Sequence, residues 1–447
     1  MADARVCDMD INTALDSARF RGLPLLVMLC AACITILDGF DIQIMGLASP
    51  ALALEWRIER SALAPAFAAA LIGMAIGGFV LGAVGDRWGR RPAMLLSLAC
   101  FGLGTLVTAW VDTVPMLVAL RLLTGIGLGG ALPNATALMA EFAPQRVRGQ
   151  TIAAAIIGVP IGGMLGATIA AEVVPIFGWR AMFVIGGLLP VLAWLVLYFV
   201  LPESPQFLSR HPRRASELAK LLNRIVAAQR FTDADKFSTR ELPVVQAVGL
   251  RAVLSGGLLF DTFALWLAFI TNLFAVYCFY NWAPVVLTGV GLPLPTAVRG
   301  LLVFNTFGVA GALAASWFIA RLGSRWILTV LCALGALAML YLWTLLLSAS
   351  DKTPTAAIMG ALAAGGFCII AVQVTLFAVA AHVYPAQCRA AGVGWAQGMG
   401  RLGGVLSAFA GAILAGSGFF AAIAATLAVT ALSIVVLQRH VPAITTP

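Results

Sequence analysis

Charge is what this chain has least of. Asp, Glu, Lys and Arg supply only 11% of its 447 residues, while 61% are hydrophobic and the mean hydropathy is +0.99. Soluble domains run at roughly 25% charged residues, so a water-soluble globule is excluded. Histidine occurs three times, too sparsely to support a metal centre or imidazole catalysis. The eight cysteines are scattered and mostly lie in apolar runs. The Cys30-x-x-Cys33 pair has no second ligand pair or nearby histidine, and reads as two small apolar residues. No nucleophile–base set occurs. The run Gly125-Ile-Gly127-Leu-Gly129-Gly130 sits in an apolar segment with no strand before it, which argues against a phosphate loop. No enzyme chemistry, metal or cofactor is therefore expected. Net charge is +9, yet the basic residues are spread over short loops without interleaved aromatics, so nucleic acid is not an expected partner. A receptor or sensor is disfavoured because the chain lacks a sizeable soluble domain.

What is present is apolar sequence in long runs. Twelve of them are of membrane-spanning length: 24–52, 61–84, 92–111, 114–141, 149–172, 179–201, 258–288, 296–320, 325–348, 354–382, 388–416 and 418–437. The expected fold class is an all-α membrane protein, twelve transmembrane helices in two pseudo-symmetric six-helix bundles, with the lipid bilayer as its solvent. The 45 glycines suit close helix crossings, as at Gly73 and Gly77 or Gly158, Gly162 and Gly166. Putting both termini and the even-numbered connections on one side gives that side 21 of the 28 Lys and Arg, against five on the other. By the positive-inside rule that side is cytoplasmic. The expected division is a cytoplasmic segment 1–23, a first bundle 24–201, a cytoplasmic linker 202–257, a second bundle 258–437 and a cytoplasmic tail 438–447. Within the linker Leu218, Leu221, Leu222, Ile225 and Val226 recur at helical spacing amid charge, an amphipathic helix lying on the membrane face.

Against this background the buried ionisable groups stand out. Asp38 and Asp41 are the only charged residues between Leu23 and Leu54, and their i, i+3 spacing puts them on one helix face. Acids at such depth mark ion or proton paths, or else pair structurally with a neighbouring helix. Arg121 and Arg401 are the only Lys or Arg residues inside spans and away from their ends. A guanidinium keeps its charge there and needs a counter-ion, and a carboxylate of a small substrate is one that fits its fork. For Arg121 an acid on the first helix is an equally good partner. Trp266, Tyr277 and Tyr280 share a face of the seventh run; Phe40 and Trp395 are similar candidates in the first and eleventh. Such rings either stack on a flat ligand or pack helices and form the interfacial belt.

The two halves repeat. Glu141-Phe-Ala-Pro-Gln-Arg-Val-Arg148 is matched by His382-Val-Tyr-Pro-Ala-Gln-Cys-Arg389, with Pro144 on Pro385. Gly85-Asp86-Arg87-Trp88-Gly89-Arg90-Arg91 is matched by Ile319-Ala320-Arg321-Leu322-Gly323-Ser324-Arg325, where the acid is lost. Like-oriented halves imply a cavity at their interface near the midplane, opening alternately to each side.

The Gly85–Arg91 loop resembles the signature of the major facilitator superfamily, and the resemblance extends along the whole chain. Asp38-Gly-Phe-Asp41, Leu201-Pro-Glu-Ser-Pro205, Tyr280-Asn-Trp-Ala-Pro284, Arg389-Ala-Ala-Gly-Val-Gly-Trp395 and Gly400-Arg401 narrow it to the aromatic acid:proton symporter branch. That resemblance implies an importer of small aromatic carboxylates of the benzoate or hydroxybenzoate type, driven by protons, in the bacterial inner membrane; a monomer suffices. It implies proton coupling at Asp38 and Asp41, and substrate contact by Arg401, Arg121, Trp266, Tyr277, Tyr280, Phe40 and Trp395. It also implies a gating cluster of Asp86, Arg87, Glu141, Arg148 and Arg389 that holds the outward-open state shut inside. Two other readings stay open: a proton-coupled exporter of drugs or metabolites, since Gly158-Val-Pro160-Ile-Gly162-Gly163 partly resembles an antiporter motif, and an importer of non-aromatic acids.

Overall fold

A computed structural model describes residues 9–17, 20–226, 231–232, 237–238, 250–254, 257–347, 355–385, 388–414 and 418–443. Arg5, Arg19, Arg230, Lys236, Arg240 and Lys352 of the charge count lie outside the described residues. Among those described, twelve long helices follow in chain order. The first bundle holds α1 (Leu23–Trp56), α2 (Ala64–Trp88), α3 (Arg90–Thr108), α4 (Val114–Phe142), α5 (Gln145–Phe177) and α6 (Trp179–Val200). The second holds α7 (Leu259–Gly289), α8 (Leu294–Leu322), α9 (Ser324–Leu347), α10 (Thr355–Val383), α11 (Arg389–Ile413) and α12 (Gly418–Val436).

Eleven of the twelve are long and apolar enough to cross a membrane by length and composition alone. The twelfth, α11, falls short because seven glycines, Gln397 and Arg401 dilute its apolar residues. It is nonetheless 25 residues long, and packs on α7 as α5 packs on α1. Proline placement explains several starts: Pro24, Pro65 and Pro115 occupy the first turns of α1, α2 and α4, where the missing N–H has no partner to lose. Between α5 and α6 the helix breaks at Gly178, whose φ of 77° is a left-handed conformation that glycine adopts without strain. This break carries α5 past the 149–172 expected for it, to Phe177.

The repeat read from sequence reappears in the packing. α2 lies on α4 as α8 lies on α10, α1 on α5 as α7 on α11, and α3 on α4 as α9 on α10. Small residues set these crossings. A Cβ on Gly39 or Gly162 would run into the backbone of the facing helix, at Val159 and Ile36 respectively. Inserting bulk into such a contact costs about 1–3 kcal/mol. Gly39→Val should therefore lower the melting temperature of the detergent-purified protein well below that of Gly360→Ala, a site with nothing within 4 Å. Equal melting of the two variants would show that the α1–α5 crossing yields easily.

On the face carrying both termini, the linker helix Ala215–Ile225 buries Leu218, Leu221, Leu222 and Ile225, the face its periodicity predicts. The short helix Ile11–Ser17 buries Ile11, Ala14 and Leu15, and Asp16 accepts a 2.7 Å hydrogen bond from the Gln145 N–H at the start of α5.

Candidate functional site

Asp38 and Asp41 are 1% and 2% exposed, and they face different surroundings. Asp41 belongs to a network inside the first bundle. Thr105 of α3 donates a short hydrogen bond to its Oδ1. Arg121 of α4 approaches its Oδ2 at 3.6 Å, and the same guanidinium donates to Thr105 (3.3 Å) and Thr108 (3.2 Å). The guanidinium carbon lies 5.2 Å from the centre of the Phe183 ring. Thr105 thus bridges acid and base, while Thr108, one helical turn on, accepts from Arg121 and donates to the Gly104 carbonyl. Arg121 is paired with an acid on α1, and it also borders a small void.

Asp38 points the other way, into a cavity between the bundles. Arg401, Tyr277, Tyr280, Gln373 and Gln397 line it with Asp38, among apolar side chains of both bundles. About 120 Å³ of it is accessible to water-sized molecules, room for several waters or one small flat ligand. Asp38 Oδ1 and Arg401 Nη1 are buried and lack hydrogen-bond partners. Unsatisfied charge on both walls of one cavity is costly unless a ligand, proton or water completes it. The Tyr277 and Tyr280 rings stand edge to face, 6.3 Å apart, and Tyr277 also borders the small void beside Asp41 and Arg121.

The remaining aromatic candidates are placed elsewhere. Phe40 is 3% exposed and packs among Gly162, Gly166 and Gly186 of the first bundle, away from the cavity lining; small residues on α5 and α6 leave a socket that its ring fills. Trp266 and Trp395 pair with each other, ring centres 6.3 Å apart, nearer the termini face.

The charged loop cluster assembles only in part. Arg90 bridges Asp86 (2.7 Å) and Glu141 (3.4 Å), and Ser204 bonds Glu141. Glu203 accepts from the N–H groups of Arg91 (3.2 Å) and Ser204 (2.9 Å). Glu141 therefore meets Arg90 rather than the expected Arg148, which folds back on the Ala143 carbonyl across the Pro144 turn. Arg389 bonds the Tyr384 carbonyl in the same manner, and Arg87 is exposed. Asp86 pairs within its own bundle and not across the halves.

Sequence reasoning passed over the uncharged polar residues. Gln43 of α1 and Asn305 of α8 are fully buried and exchange two amide hydrogen bonds, 2.9 and 3.3 Å, across the bundle interface. Asn272 donates to Gln373 at 2.8 Å. Their signal was a lone amide in an apolar run, the same kind of exception that exposed the acids. Around Gln43 the halves close toward the face opposite the termini. Arg60 donates to the Val285 carbonyl at 2.8 Å, Arg299 pairs with Glu172 at 3.5 Å, and Phe67 packs on Trp282.

Over residues 31–408 the chain matches the Major Facilitator Superfamily. The 4-hydroxybenzoate transporter PcaK of Pseudomonas aeruginosa is 36% identical over 395 residues, which cover 88% of this chain and 86% of that protein. The gallate transporter of Pseudomonas putida is 34% identical over 411 residues, covering 91% and 89%. The xylose transporter XylE from E. coli, solved in a partially occluded inward open conformation, matches with a TM-score of 0.70 at 18% identity, over 92% of this chain and 98% of that one; identity so low speaks for the fold alone. With that fold and those relatives, the chain belongs to the Major Facilitator Superfamily, as a multi-pass membrane transporter related to carriers of aromatic acids.

Proposed function

We propose that this transporter is a proton-coupled symporter that imports small aromatic carboxylates of the benzoate or hydroxybenzoate type across the bacterial inner membrane by alternating access. The observation that carries the reading is the central cavity between the bundles, where a carboxyl oxygen of Asp38 from one half and a guanidinium nitrogen of Arg401 from the other lack hydrogen-bond partners. The substrate carboxylate binds the Arg401 fork, and its ring lies against Tyr277 and Tyr280. Asp38 takes a proton when the cavity opens to the periplasm. A proton on Asp38 removes the negative charge facing the incoming anion, so the two ligands favour one another. Asp41 with Arg121 forms a second proton-responsive pair in the first bundle. The asymmetry of loop charge puts the termini in the cytoplasm. The closed contacts at Arg60, Arg299 and Gln43 then lie on the periplasmic side, and breaking them is the opening step.

Proton flux tests the reading. In lightly buffered cells or proteoliposomes, adding 4-hydroxybenzoate, gallate, benzoate or gentisate should alkalinise the outside medium, with uptake of the same acid. Acidification of the medium would instead mark proton-exchanging export, and uptake without any pH change would remove the coupling.

A further inference from the structure

A second void adjoins the central cavity on the side of the termini. It measures about 620 Å³ and lies between α2, α4 and α11, with Phe79, Pro133, Trp395, Met399 and Leu402 in its wall. Two residues belong to both voids, Gln397 and Arg401. Arg401 is the only cation among the residues that line either, and its Nη1 has no hydrogen-bond partner. Trp395 precedes it by six residues on α11, about 9 Å along the helix axis; it lines this space and is 39% exposed. Behind it stands Trp266, 8% exposed, the two rings inclined at 35°. One guanidinium is thus shared by two aromatic-walled spaces, with the tyrosines in the central cavity and Trp395 in the outer void.

We infer that Arg401 is a pivot between two ring stations, and that the outer void is a second binding site for the transported aromatic carboxylate, used on its way out. The carboxylate stays on the guanidinium while the ring swings from Tyr277 and Tyr280 to the face of Trp395. Release otherwise requires pulling a bare carboxylate off its cation inside a low-dielectric cavity, where the separation of charge is most expensive. With a pivot the charge pair stays intact while the ring leaves the tyrosines, and stacking on Trp395 takes the place of the ring's packing against them. Charge complementarity selects the occupant: a purely apolar ligand, such as a lipid chain, leaves the Arg401 fork empty.

The inference rests on the central cavity being an aromatic acid site, and photolabelling separates the two claims. Intact protein in lipid nanodiscs is irradiated with 4-azidobenzoate, and adducts are mapped by peptide mass spectrometry with and without excess 4-hydroxybenzoate. The expected result is two protected patches, one at Tyr277–Tyr280 and one at Trp395–Met399, both lost in Arg401→Ala. Trp395→Ala should reduce the second patch roughly three- to tenfold, the size of an aromatic contact, while the first remains. Protected labelling at the tyrosines alone overturns the second station and spares the central one. So does labelling at Trp395 that 4-hydroxybenzoate leaves in place, the signature of a lipid groove. No protected labelling anywhere overturns both.

Discussion

With Arg401 replaced by alanine, uptake of labelled 4-hydroxybenzoate is expected to fall roughly 100-fold or more while the protein reaches the membrane at its normal level. The size follows from the chemistry of the contact. Truncating one partner of a buried, hydrogen-bonded charge pair costs about 2–5 kcal/mol, and each 1.4 kcal/mol is a factor of about ten. Among the described residues, Arg401 is the only cation lining the central cavity, so no neighbour takes over its charge. Arg401→Lys restores charge but not the planar fork that grips both carboxylate oxygens. It should recover binding only in part, with a raised KM. If the panel of acids selects another substrate, the same comparison is made with that acid. Transport by Arg401→Ala within twofold of the unmodified protein would place the anion elsewhere.

The second large effect is loss of accumulation in Asp38→Asn and Asp41→Asn, and the two variants should fail differently. Asparagine imitates a permanently protonated Asp38, whose Oδ1 has no partner to lose. Asp38→Asn should therefore exchange internal for external substrate while no longer concentrating it. Asp41 is tied to Thr105 and Arg121, and Asp41→Asn leaves the Arg121 guanidinium buried without a counter-charge. Breaking a buried pair in this way costs about 3–5 kcal/mol, so this variant should also melt at a lower temperature. A double substitution Asp41→Asn with Arg121→Gln should recover much of that stability without recovering accumulation. Proton-driven accumulation surviving in both single variants would falsify the assignment. Charge stoichiometry follows from the same experiment. A monoanion entering with one proton ignores the membrane potential, whereas two protons add about 2.3 kcal/mol per 100 mV, which a voltage clamp on loaded proteoliposomes reads directly.

Most of the architecture was legible in the residues because the membrane simplifies the code. Hydrocarbon demands that every backbone polar group be satisfied within a helix, so apolar runs translate into spans nearly one for one. α11 shows the limit of that code: its length was readable, but Arg401, Gln397 and its glycines make it look unlike a lipid-facing helix, because much of its surface faces the other bundle and the voids. The buried acids and arginines were legible for the complementary reason, since ionisable groups are rare at depth. Charge alone did not reveal their partners. Asp38 and Asp41 are three residues apart and share a helix face, yet one joins a threonine-bridged pair and the other faces open space.

The chain's own letters determined its twelve long apolar runs, the repeat of its halves, and where charge is buried, because each of these is a property of local composition and period. Only tertiary packing decided which acid meets which arginine, that Glu141 pairs with Arg90 and not Arg148, that Phe40 fills a socket, and that Gln43 and Asn305 bind the halves together. These depend on how helices distant in sequence rotate and cross, and glycine contacts such as Gly39 on Val159 set those rotations at a scale no single-helix pattern encodes.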